Sequence, residues 1–357
     1  MPLESWRDEL RRTVRSLDEL KRFIAKPSAG MRQAVTRQRL AITPHTLSLI
    51  DWSDPHDPIR RLCVPDALEL DEHAGEMRDP IGDAAKSPIP FLTHRYPDRV
   101  LVLSSFACAQ YCRFCFRRDR TGLPTPGPSA SDRERMVEYL REHPAVEEVI
   151  LSGGDPWIAG DAEIDAWLGG VFSVPSVRRV RFHTRVPVVL PSRVTGGLVA
   201  VLRRHQGAER PVIVVTHFNH PREIAPENVT ALARLADAGI SLRNQNVLLR
   251  GVNDDATTLA ALYRRLVDCR VVPYYLHHLD LAAGTNHFRV PLRRGLAIMR
   301  ELQGRVTGVA LPRYMLDLPG GKGKVPLQHQ YLTGNGDGSL DVESPFGETV
   351  EYREPLE

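Results

Sequence analysis

Short apolar runs alternate with longer amphipathic stretches from about residue 100 to residue 304. The apolar runs have the length and β-branched content of buried strands, and the stretches between them repeat apolar residues at helical spacing. The predicted strands are 99–105, 148–154, 177–185, 211–218, 242–249 and 270–278. The predicted helices are 131–143, 162–171, 194–205, 227–238, 256–268 and 291–304. Six strand–helix units in series predict a parallel sheet with helical crossovers.

Nearly continuous apolar strands indicate a sheet whose two faces are both covered. The pattern does not determine whether this sheet closes into a barrel. In parallel α/β barrels the functional groups lie at the carboxyl ends of the strands. Polar motifs follow most of the predicted strands, so we expect them to converge on one mouth of the fold.

The two ends of the chain differ from this repeating region. Residues 1 to about 60 are predicted to be helical, because apolar residues recur at helical spacing between charges at Leu10, Val14, Leu17 and Leu20. After residue 306 an extended run leads into a glycine-rich loop bounded by prolines, 319–326. A β-rich tail follows, with turn signals at Asn335-Gly-Asp-Gly and Pro345-Phe-Gly.

These patterns divide the chain into three regions. We expect an N-terminal helical region (1–92), a strand–helix core (93–306) and a C-terminal segment (307–357).

Composition narrows the class of protein. The 357 residues include 47 basic and 44 acidic side chains, so there is no electrostatic case for nucleic-acid binding. Three of the five cysteines are clustered, which argues against a secreted disulfide scaffold. The N-terminus lacks the apolar core of a signal peptide, and no run approaches the roughly 18 apolar residues of a membrane span. We therefore expect a soluble, cytoplasmic protein without a membrane partner.

The strongest chemical signal is Cys108, Cys112 and Cys115, which lie within eight residues at CxxxCxxC spacing. Three thiolates can hold a [4Fe–4S] cluster and leave one iron open to a small ligand. Radical enzymes use such an open iron to anchor S-adenosylmethionine and cleave it reductively. The alternatives are a zinc knuckle or buried thiols, but no fourth Cys or His follows within twenty residues.

Two further motifs adjoin strands of the core. Ser152, Gly153, Gly154 and Asp155 end the second predicted strand, where glycines allow close backbone approach and the acid could accept from the ammonium group of S-adenosylmethionine. Strand-to-helix turns without function also contain Gly and Asp. The first strand is preceded by a candidate phosphate clamp, because guanidinium donors match phosphate geometry; its residues are Arg95, Tyr96 and Arg99. A surface loop of paired charges would have the same composition.

Lys324 lies in the glycine-rich loop and is a candidate for covalent attachment of pyridoxal phosphate. A solvated loop lysine is the alternative, and Lys322 competes for the same role. Asp280 and Asp317 follow extended segments and could together hold the side-chain ammonium of a basic amino acid, although each could also be a helix cap or an ion-pair partner. Histidines also lie at strand ends, and we do not expect them to be metal ligands; they are His217, His220, His277 and His278.

With these residues the chain resembles the lysine 2,3-aminomutase family of radical S-adenosylmethionine enzymes. The resemblance runs from about Arg39 to Pro355. It includes the cysteine loop and the segments LAITPHTLSLID, LTHRYPDRVL, ILSGGD, RVPVVLPSR, VTHFNHPREI, NQNVLLRGVND and PGGKGKVP. It implies a partial (β/α)6 barrel of the TIM-like radical enzymes, N-terminal helices and a C-terminal segment that carries the coenzyme lysine.

The resemblance also implies the cofactors and the roles of the site residues. The cluster would be held by Cys108, Cys112 and Cys115, and pyridoxal 5′-phosphate by Lys324, with its phosphate at Arg95, Tyr96 and Arg99. S-adenosylmethionine would contact His217 and Gln245. The amino acid would be bound through its carboxylate by Arg117 and through its ammonium by Asp280 and Asp317. One departure is Lys322, which interrupts a loop that is usually all glycine in the family.

The resulting hypothesis is an isomerase that moves the α-amino group of a basic amino acid to the β-carbon, with L-lysine to L-β-lysine as the first choice. Arginine or ornithine would satisfy the same two acids. A second hypothesis is an aminomutase that makes (R)-β-lysine for attachment to elongation factor P. A third is a non-catalytic relative, which should have lost one of the four residues Cys115, Arg117, Asp155 and Lys324, yet all are present. The resemblance further implies an electron donor such as flavodoxin or ferredoxin, and a homo-oligomer (dimer or tetramer).

Overall fold

The computed structural model describes residues 5–24, 26–122, 126–334 and 340–352. Its central feature is one sheet in which the strands β1 to β9 follow each other in chain order. These strands are β1 (Leu92–Tyr96), β2 (Arg99–Ser105), β3 (Glu148–Gly153), β4 (Arg179–His183), β5 (Val212–Thr216), β6 (Ser241–Val247), β7 (Val272–His277), β8 (Arg313–Asp317) and β9 (Lys324–Leu327). Strands β2 to β8 are parallel, and β1 and β9 pair antiparallel at the two edges. The architecture is a partial TIM-like barrel, as predicted.

Helices cross over between the parallel strands and cover the outer face of the sheet. The α-helices are α1 (Trp6–Arg11), α2 (Leu17–Leu20), α3 (Ala29–Arg37), α4 (Pro44–Leu49), α5 (Pro58–Cys63), α6 (Ala130–Glu142), α7 (Asp161–Phe172), α8 (Val186–Val189), α9 (Gly196–His205), α10 (Pro226–Asp237), α11 (Ala256–Asp268) and α12 (Leu292–Leu302). The predicted crossover helices correspond to α6, α7 and α9 to α12. Within the described residues, no helix has the length and apolarity needed to cross a membrane.

Helix α11 illustrates how local sequence forms these elements. The Asp255 carboxylate accepts from the Thr258 backbone N–H at 2.8 Å, which satisfies a donor that the first turn leaves free. Apolar side chains then recur on one face and are buried against the sheet; they are Leu259, Leu262, Tyr263 and Leu266. The helix therefore begins at a cap and is stabilised by a single apolar face.

The inner and outer faces of the strands differ in chemistry. On β4, Val180 and Phe182 are buried in the core between sheet and helices, whereas Arg181 and His183 line the interior of the barrel. This alternation follows from the two-residue period of a strand. The apolar core thus lies outside the sheet, and the polar groups lie inside it.

The prediction of helix across Leu10 to Leu20 is only partly correct. Helices α1 and α2 are separate, and Val14 between them exchanges backbone hydrogen bonds with Ile42 at 2.9 and 3.0 Å. Ser16 caps α2 by accepting from the Glu19 backbone N–H at 3.2 Å, so a new helix begins there. Val14 and Leu20 are both buried, so their spacing resembled that of one helix, but Val14 lies in the β-bridge and Leu20 in α2.

The C-terminal segment is shared between two sheets. β8 and β9 belong to the main sheet, whereas β10 (Leu332–Gly334), β11 (Leu340–Glu343) and β12 (Thr349–Tyr352) form a small antiparallel sheet. The turn predicted at Pro345 connects β11 and β12, with the Gly347 N–H donating to the Ser344 carbonyl. The turn predicted at Asn335 lies outside the described residues. The β-rich tail is confirmed, and the three-region division of the chain remains a proposal.

Candidate active site

The carboxyl ends of the parallel strands and the loops that follow them surround a cavity of about 920 Å³. Every residue that the sequence analysis assigned to a site lines it. These residues are Arg95, Tyr96, Arg99, Cys108, Cys112, Cys115, Arg117, Ser152, Gly153, Gly154, Asp155, His217, Gln245, Asp280, Asp317 and Lys324. Residues spread over more than two hundred positions of sequence therefore share one space.

The three cysteines lie on the loop after β2. Backbone hydrogen bonds join the two ends of this loop and attach its middle to the N-terminal region. The Gly122 N–H donates to the Phe106 carbonyl at 2.8 Å, and the Arg113 N–H donates to the Leu62 carbonyl of the N-terminal region at 3.0 Å. Burial raises the pKa of the Cys108 and Cys112 thiols. Arg185 Nη1 donates to Cys112 Sγ at 2.8 Å, so a cation lies beside one of the three sulfurs. Among the residues that the structure describes, no three His, Cys, Asp or Glu side chains are grouped to hold a metal ion.

Gly153 and Gly154 allow β3 to meet the cysteine loop backbone to backbone. A Cβ on Gly154 would lie 2.2 Å from the Ala107 carbonyl oxygen, and one on Gly153 would lie 2.3 Å from that of Ser105. The Gly154 N–H also donates to the Ser105 carbonyl at 2.5 Å. These glycines were predicted to let the backbone approach a ligand closely, which stays a prediction. In the structure they let β3 approach the loop that carries the cysteines.

The Asp155 carboxylate connects β3 to the segment after β4. Oδ1 accepts from Thr184 Oγ1 at 2.6 Å and from the Trp157 N–H, and Oδ2 accepts from the Arg185 N–H at 2.7 Å. Burial raises the pKa of this carboxyl, and these donors oppose that shift. Its oxygens hold the backbone from which Arg185 reaches Cys112.

His217 and Gln245, assigned to S-adenosylmethionine, extend from the ends of β5 and β6 into the cavity. Burial lowers the pKa of His217 well below its usual value, so the ring is neutral at pH 7. Its Nε2 has no hydrogen-bond partner among the residues that the structure describes. Gln245 Nε2 lies 3.3 Å from Nδ1 of His183, a residue that the sequence analysis did not select.

Lys324 and Lys322 differ in position. Lys324 begins β9, its backbone N–H donates to the Tyr96 hydroxyl at 3.0 Å, and its Nζ lies 5.7 Å from the centre of the Tyr275 ring inside the cavity. Lys322 is exposed and does not line the cavity. Arg99 stacks 3.8 Å over the Tyr96 ring, which places this arginine and tyrosine at the same wall as Lys324.

Asp317 and Asp280 face the same space with opposite electrostatics. Burial raises the pKa of Asp317, but the hydrogen bond with His277 and the charge of Lys324 outweigh this and lower it to about 2. Lys324 Nζ is 3.4 Å and His277 Nδ1 is 3.3 Å from Asp317 Oδ2. Burial, followed by the neighbouring Asp317, raises the pKa of Asp280 to about 7. Asp317, which is ionised at pH 7, can therefore bind one ammonium group strongly. Asp280, whose pKa is about 7, binds a cation less readily.

Arg95 and Arg117 both form an ion pair with Asp83, at 3.0 and 2.9 Å. The sequence analysis assigned them to different ligands, a coenzyme phosphate and a substrate carboxylate. Asp83 was not selected, since nothing near it in the sequence marks it as functional.

The residues around the cavity fit anionic and polar cofactors. Buried nitrogen atoms that have no partner in the described structure surround it; they are Arg95 Nε, Arg181 Nε, His183 Nε2, Arg185 Nε and His217 Nε2. An unsatisfied buried donor costs free energy unless a ligand or water pairs with it. These donors fit the anionic groups of S-adenosylmethionine and of a phosphate-bearing coenzyme, and Lys324 lies in the same space. The three cysteines that line the cavity would be the ligands of an iron–sulfur cluster.

Comparison with known proteins gives the family. A family model described as Lysine-2,3-aminomutase matches residues 299–356. The chain is 40% identical to the L-lysine 2,3-aminomutase of Clostridium subterminale, over 98% of this chain and 84% of that protein. The chain belongs to the lysine 2,3-aminomutase family. It is therefore an isomerase, and family membership supports the three cofactors expected from the sequence.

Two other comparisons concern the substrate range of the family and its structural similarity to another radical enzyme. The chain is also 34% identical to the glutamate 2,3-aminomutase of Clostridioides difficile, over 98% of this chain and 83% of that protein, so the family contains more than one substrate. A radical SAM methyltransferase from Sphaerobacter thermophilus superposes with a TM-score of 0.42 at 20% identity, over 63% of this chain and 68% of its own.

Several cavity residues of the aminomutase were missed by sequence analysis. They are Asp83, Arg181, His183, Arg185, Arg243, Tyr274 and Tyr275. Most lie inside strands or loops of ordinary composition. The inward face of each strand, which carries every second residue, was the signal that could have selected Arg181, His183 and Arg243.

Proposed function

We propose that this protein is a pyridoxal phosphate-dependent lysine 2,3-aminomutase that converts L-lysine to L-β-lysine. The observation that carries the proposal is the position of the Lys324 ammonium, 3.4 Å from the Asp317 carboxylate, with Asp280 lining the same cavity. An ammonium on an alkyl chain is the group that a lysine substrate would present. If Lys324 held the coenzyme, its Nζ would no longer be a free ammonium group beside Asp317, and this carboxylate would be open to a cation from the substrate.

The residues of the proposed site divide between binding and positioning. Arg117 holds the substrate carboxylate, and Asp317 with Asp280 holds the side-chain ammonium, so the reacting carbons are fixed from both ends. His277 supports this arrangement from beside Asp317. When bound, the cluster and S-adenosylmethionine supply a carbon radical, and pyridoxal phosphate supplies a π-system for migration of the amino group.

The coenzyme end of the site would be held by Lys324 and the wall next to it. Tyr96 accepts from the Lys324 backbone N–H, and Arg99 stacks on Tyr96, so direct contacts join the lysine to the phosphate-binding groups. Arg95 offers a buried Nε that none of the described residues pairs with. The three cysteines would hold the cluster, and Asp155, Ser152, His217 and Gln245 would surround S-adenosylmethionine.

Charge decides between a basic and an acidic substrate. A glutamate side chain would bring a third carboxylate to Asp280 and Asp317, which is repulsive, whereas lysine brings the complementary charge. Arginine and ornithine carry the same sign and remain competing substrates. Product stereochemistry separates a free-lysine enzyme from one that supplies (R)-β-lysine for elongation factor P.

The test is anaerobic incubation of the reconstituted protein with dithionite, S-adenosylmethionine, pyridoxal phosphate and, in turn, lysine, ornithine, arginine and glutamate. We expect a β-amino acid from lysine by mass spectrometry, with the L configuration by chiral chromatography. Preferred conversion of glutamate, or absence of any β-amino acid, would contradict the proposal. An (R)-β-lysine product would favour the elongation factor pathway.

The coenzyme lysine is tested in the same preparation with a matched pair of variants. Lys324→Ala should lose the coenzyme absorbance while its iron content stays unchanged, since the lysine and cysteines lie on separate loops. Lys322→Ala, which removes an exposed lysine two residues away, should keep both signals. The reverse result would assign the coenzyme to Lys322.

Turnover also needs one electron for the cluster, which we propose comes from a flavodoxin or ferredoxin. We further propose that the protein acts in the cytoplasm, as a homo-oligomer (dimer or tetramer), on a small-molecule amino acid. Reduction of the cluster by each purified donor, and the mass of the protein in solution, test these points.

A further inference from the structure

The Asp83 carboxylate lies between Arg95 and Arg117 and forms a hydrogen-bonded ion pair with each. Its Oδ1 accepts from Arg95 Nη2 at 3.0 Å, and its Oδ2 accepts from Arg117 Nε at 2.9 Å with Nη2 also 2.9 Å away. The Asp83 side chain is 6% exposed and each arginine side chain 11%. Charge-assisted hydrogen bonds in such an enclosed setting are short and directional. The orientation of each guanidinium is therefore set by one carboxylate.

The Asp83 carboxylate is itself held in place by its neighbours. The Asp79 carboxylate accepts from the Asp83 N–H at 2.9 Å and from the Ala84 N–H at 2.8 Å. Ser87 Oγ donates to the Asp83 carbonyl at 2.7 Å. These three hydrogen bonds hold the backbone of the loop 79–87, from which the Asp83 side chain extends.

The same loop packs against the loop that leads to Lys324. Gly82 has φ of +66°, and a Cβ there would lie 2.5 Å from the Gly321 nitrogen. The two backbones are therefore in direct contact. Loop 79–87 thus joins three parts of the cavity wall: Arg95, Arg117 and the glycine-rich loop before Lys324.

The ion pairs determine which edges of the arginines remain for ligands. Asp83 occupies the Nε–Nη2 edge of Arg117, which leaves Nη1 for a carboxylate. Arg95 donates from Nη2 to Asp83 and to the Ile81 carbonyl, and its Nε has no partner within the described part of the chain. The negative charge of Asp83 opposes anion binding, whereas the orientation it enforces favours it. These two effects have opposite signs and can be measured separately.

We propose that Asp83 is a positioning residue that aims Arg117 at the carboxylate of the amino acid and Arg95 at the phosphate of the coenzyme. The orienting effect exceeds the cost of its negative charge. The inference rests on the proposed function, because it takes the ligands of both arginines from there.

The first test measures the substrate end. In Asp83→Asn loaded with cluster and coenzyme, the change in coenzyme absorbance is titrated with lysine and with 1,5-diaminopentane, which lacks only the carboxylate. We expect the dissociation constant for lysine to rise about tenfold, the effect of losing one charge-assisted contact. That for 1,5-diaminopentane should stay close to its value in the unaltered protein.

The second test measures the coenzyme end. Protein without coenzyme is titrated with pyridoxal phosphate and with pyridoxal, which lacks the phosphate. We expect Asp83→Asn to weaken binding of pyridoxal phosphate more than binding of pyridoxal. A variant with a general folding defect would weaken both to the same degree.

The matched control is Glu69→Gln. Glu69 is a fully buried carboxylate that also joins two arginines, Arg113 and Arg118, but none of the three lines the cavity. Glu69→Gln should lower the thermal stability. It should leave unchanged the ratio of the dissociation constants for lysine and 1,5-diaminopentane, and the ratio for pyridoxal phosphate and pyridoxal. If Asp83→Asn does not fold, Asp83→Glu keeps the charge and displaces the oxygens by one methylene, and we expect the same two selective losses.

Tighter or unchanged lysine binding in Asp83→Asn would overturn the inference, because Asp83 would then only compete with the anion. Equal losses for lysine and 1,5-diaminopentane would also overturn it. If the unaltered protein binds the coenzyme, either of these results contradicts only the role of Asp83 and leaves the proposed function intact. If the unaltered protein binds no coenzyme, the proposed function fails and this inference fails with it.

Discussion

At the scale of single residues, Asp280 and Asp317 show how position separates two identical side chains. Both line one cavity, yet the pKa of Asp280 is raised to about 7 and that of Asp317 is lowered to about 2. Burial raises the pKa of both and the charge of Lys324 lowers it for both, but Asp317 also has His277 Nδ1 at 3.3 Å and Lys324 Nζ at 3.4 Å from its Oδ2. Their neighbours, rather than their own chemistry, decide which carboxylate carries charge at neutral pH.

This difference predicts a pH dependence of stability in the protein without coenzyme. The pKa of Asp280 is raised in the folded state from its ordinary value of 3.8, so the stability it contributes is present below that value and is lost as the pH rises towards about 7. Relative to Asp280→Asn, the unaltered protein should lose up to about 1.4 kcal/mol per pH unit across this range. Urea unfolding of both proteins at a series of pH values measures the difference. A constant difference would contradict the prediction.

At the scale of elements, two of the parallel strand pairings have an irregular register, and both irregularities lie at the site. The register between β6 and β7 shifts between Asn244 and Gln245, so the consecutive residues Tyr274 and Tyr275 both line the cavity and stack 3.6 Å apart. The register between β2 and β3 also shifts where Gly153 meets Ser105. Such irregularities redirect side chains at the ends of strands, where an active site needs them.

The contact between the end of β3 and the cysteine loop predicts that Gly154, which supplies no ligand to the cluster, is needed for cluster assembly. Gly154→Ala should abolish stable cluster assembly, since the added methyl group would lie 2.2 Å from the Ala107 carbonyl oxygen and displace the loop. Iron content and cluster absorbance measure the effect. Gly196→Ala adds the same methyl group at the start of α9, where nothing lies within 4 Å, and should retain both signals. Normal cluster content in Gly154→Ala would show that the loop can yield.

At the scale of the whole molecule, the N-terminal helices and the barrel share contacts that carry the site. A second apolar cluster joins Ile59 and Leu62 of α5 to Phe114 of the cysteine loop and Leu279 near Asp280. Arg222, beyond β5, donates to the Asp57 carboxylate at 2.6 Å. The N-terminal region is therefore the support of the cysteine loop, although its sequence suggested a separate helical region.

These shared contacts predict that the N-terminal region and the barrel unfold together. Amide hydrogen exchange at increasing urea should give α5 and β3 the same opening free energy and the same denaturant dependence. The exposed strand β12 should exchange earlier and serves as an internal reference. Opening of α5 at lower urea, with β3 still protected, would show that the N-terminal region is an independent unit.

The sequence by itself determined the elements and the chemistry they carry. The period of apolar residues predicted β2 to β7 and the crossover helices, because side-chain periodicity is a local property of the chain. The cysteine spacing, the two candidate lysines and the two acids were visible as motifs. The same local rule failed at Val14, where helical spacing joined two helices that a β-bridge separates.

Only the tertiary structure decided which groups meet. Asp83 contacts Arg95 and Arg117, Arg185 contacts Cys112, and His277 contacts Asp317. Most of these pairs join residues of different elements, and whether they touch depends on strand order and register rather than on any local pattern. The tertiary structure also placed Lys324 in the cavity and left Lys322 exposed, because β9 pairs with β8 through Asp317 and Lys324.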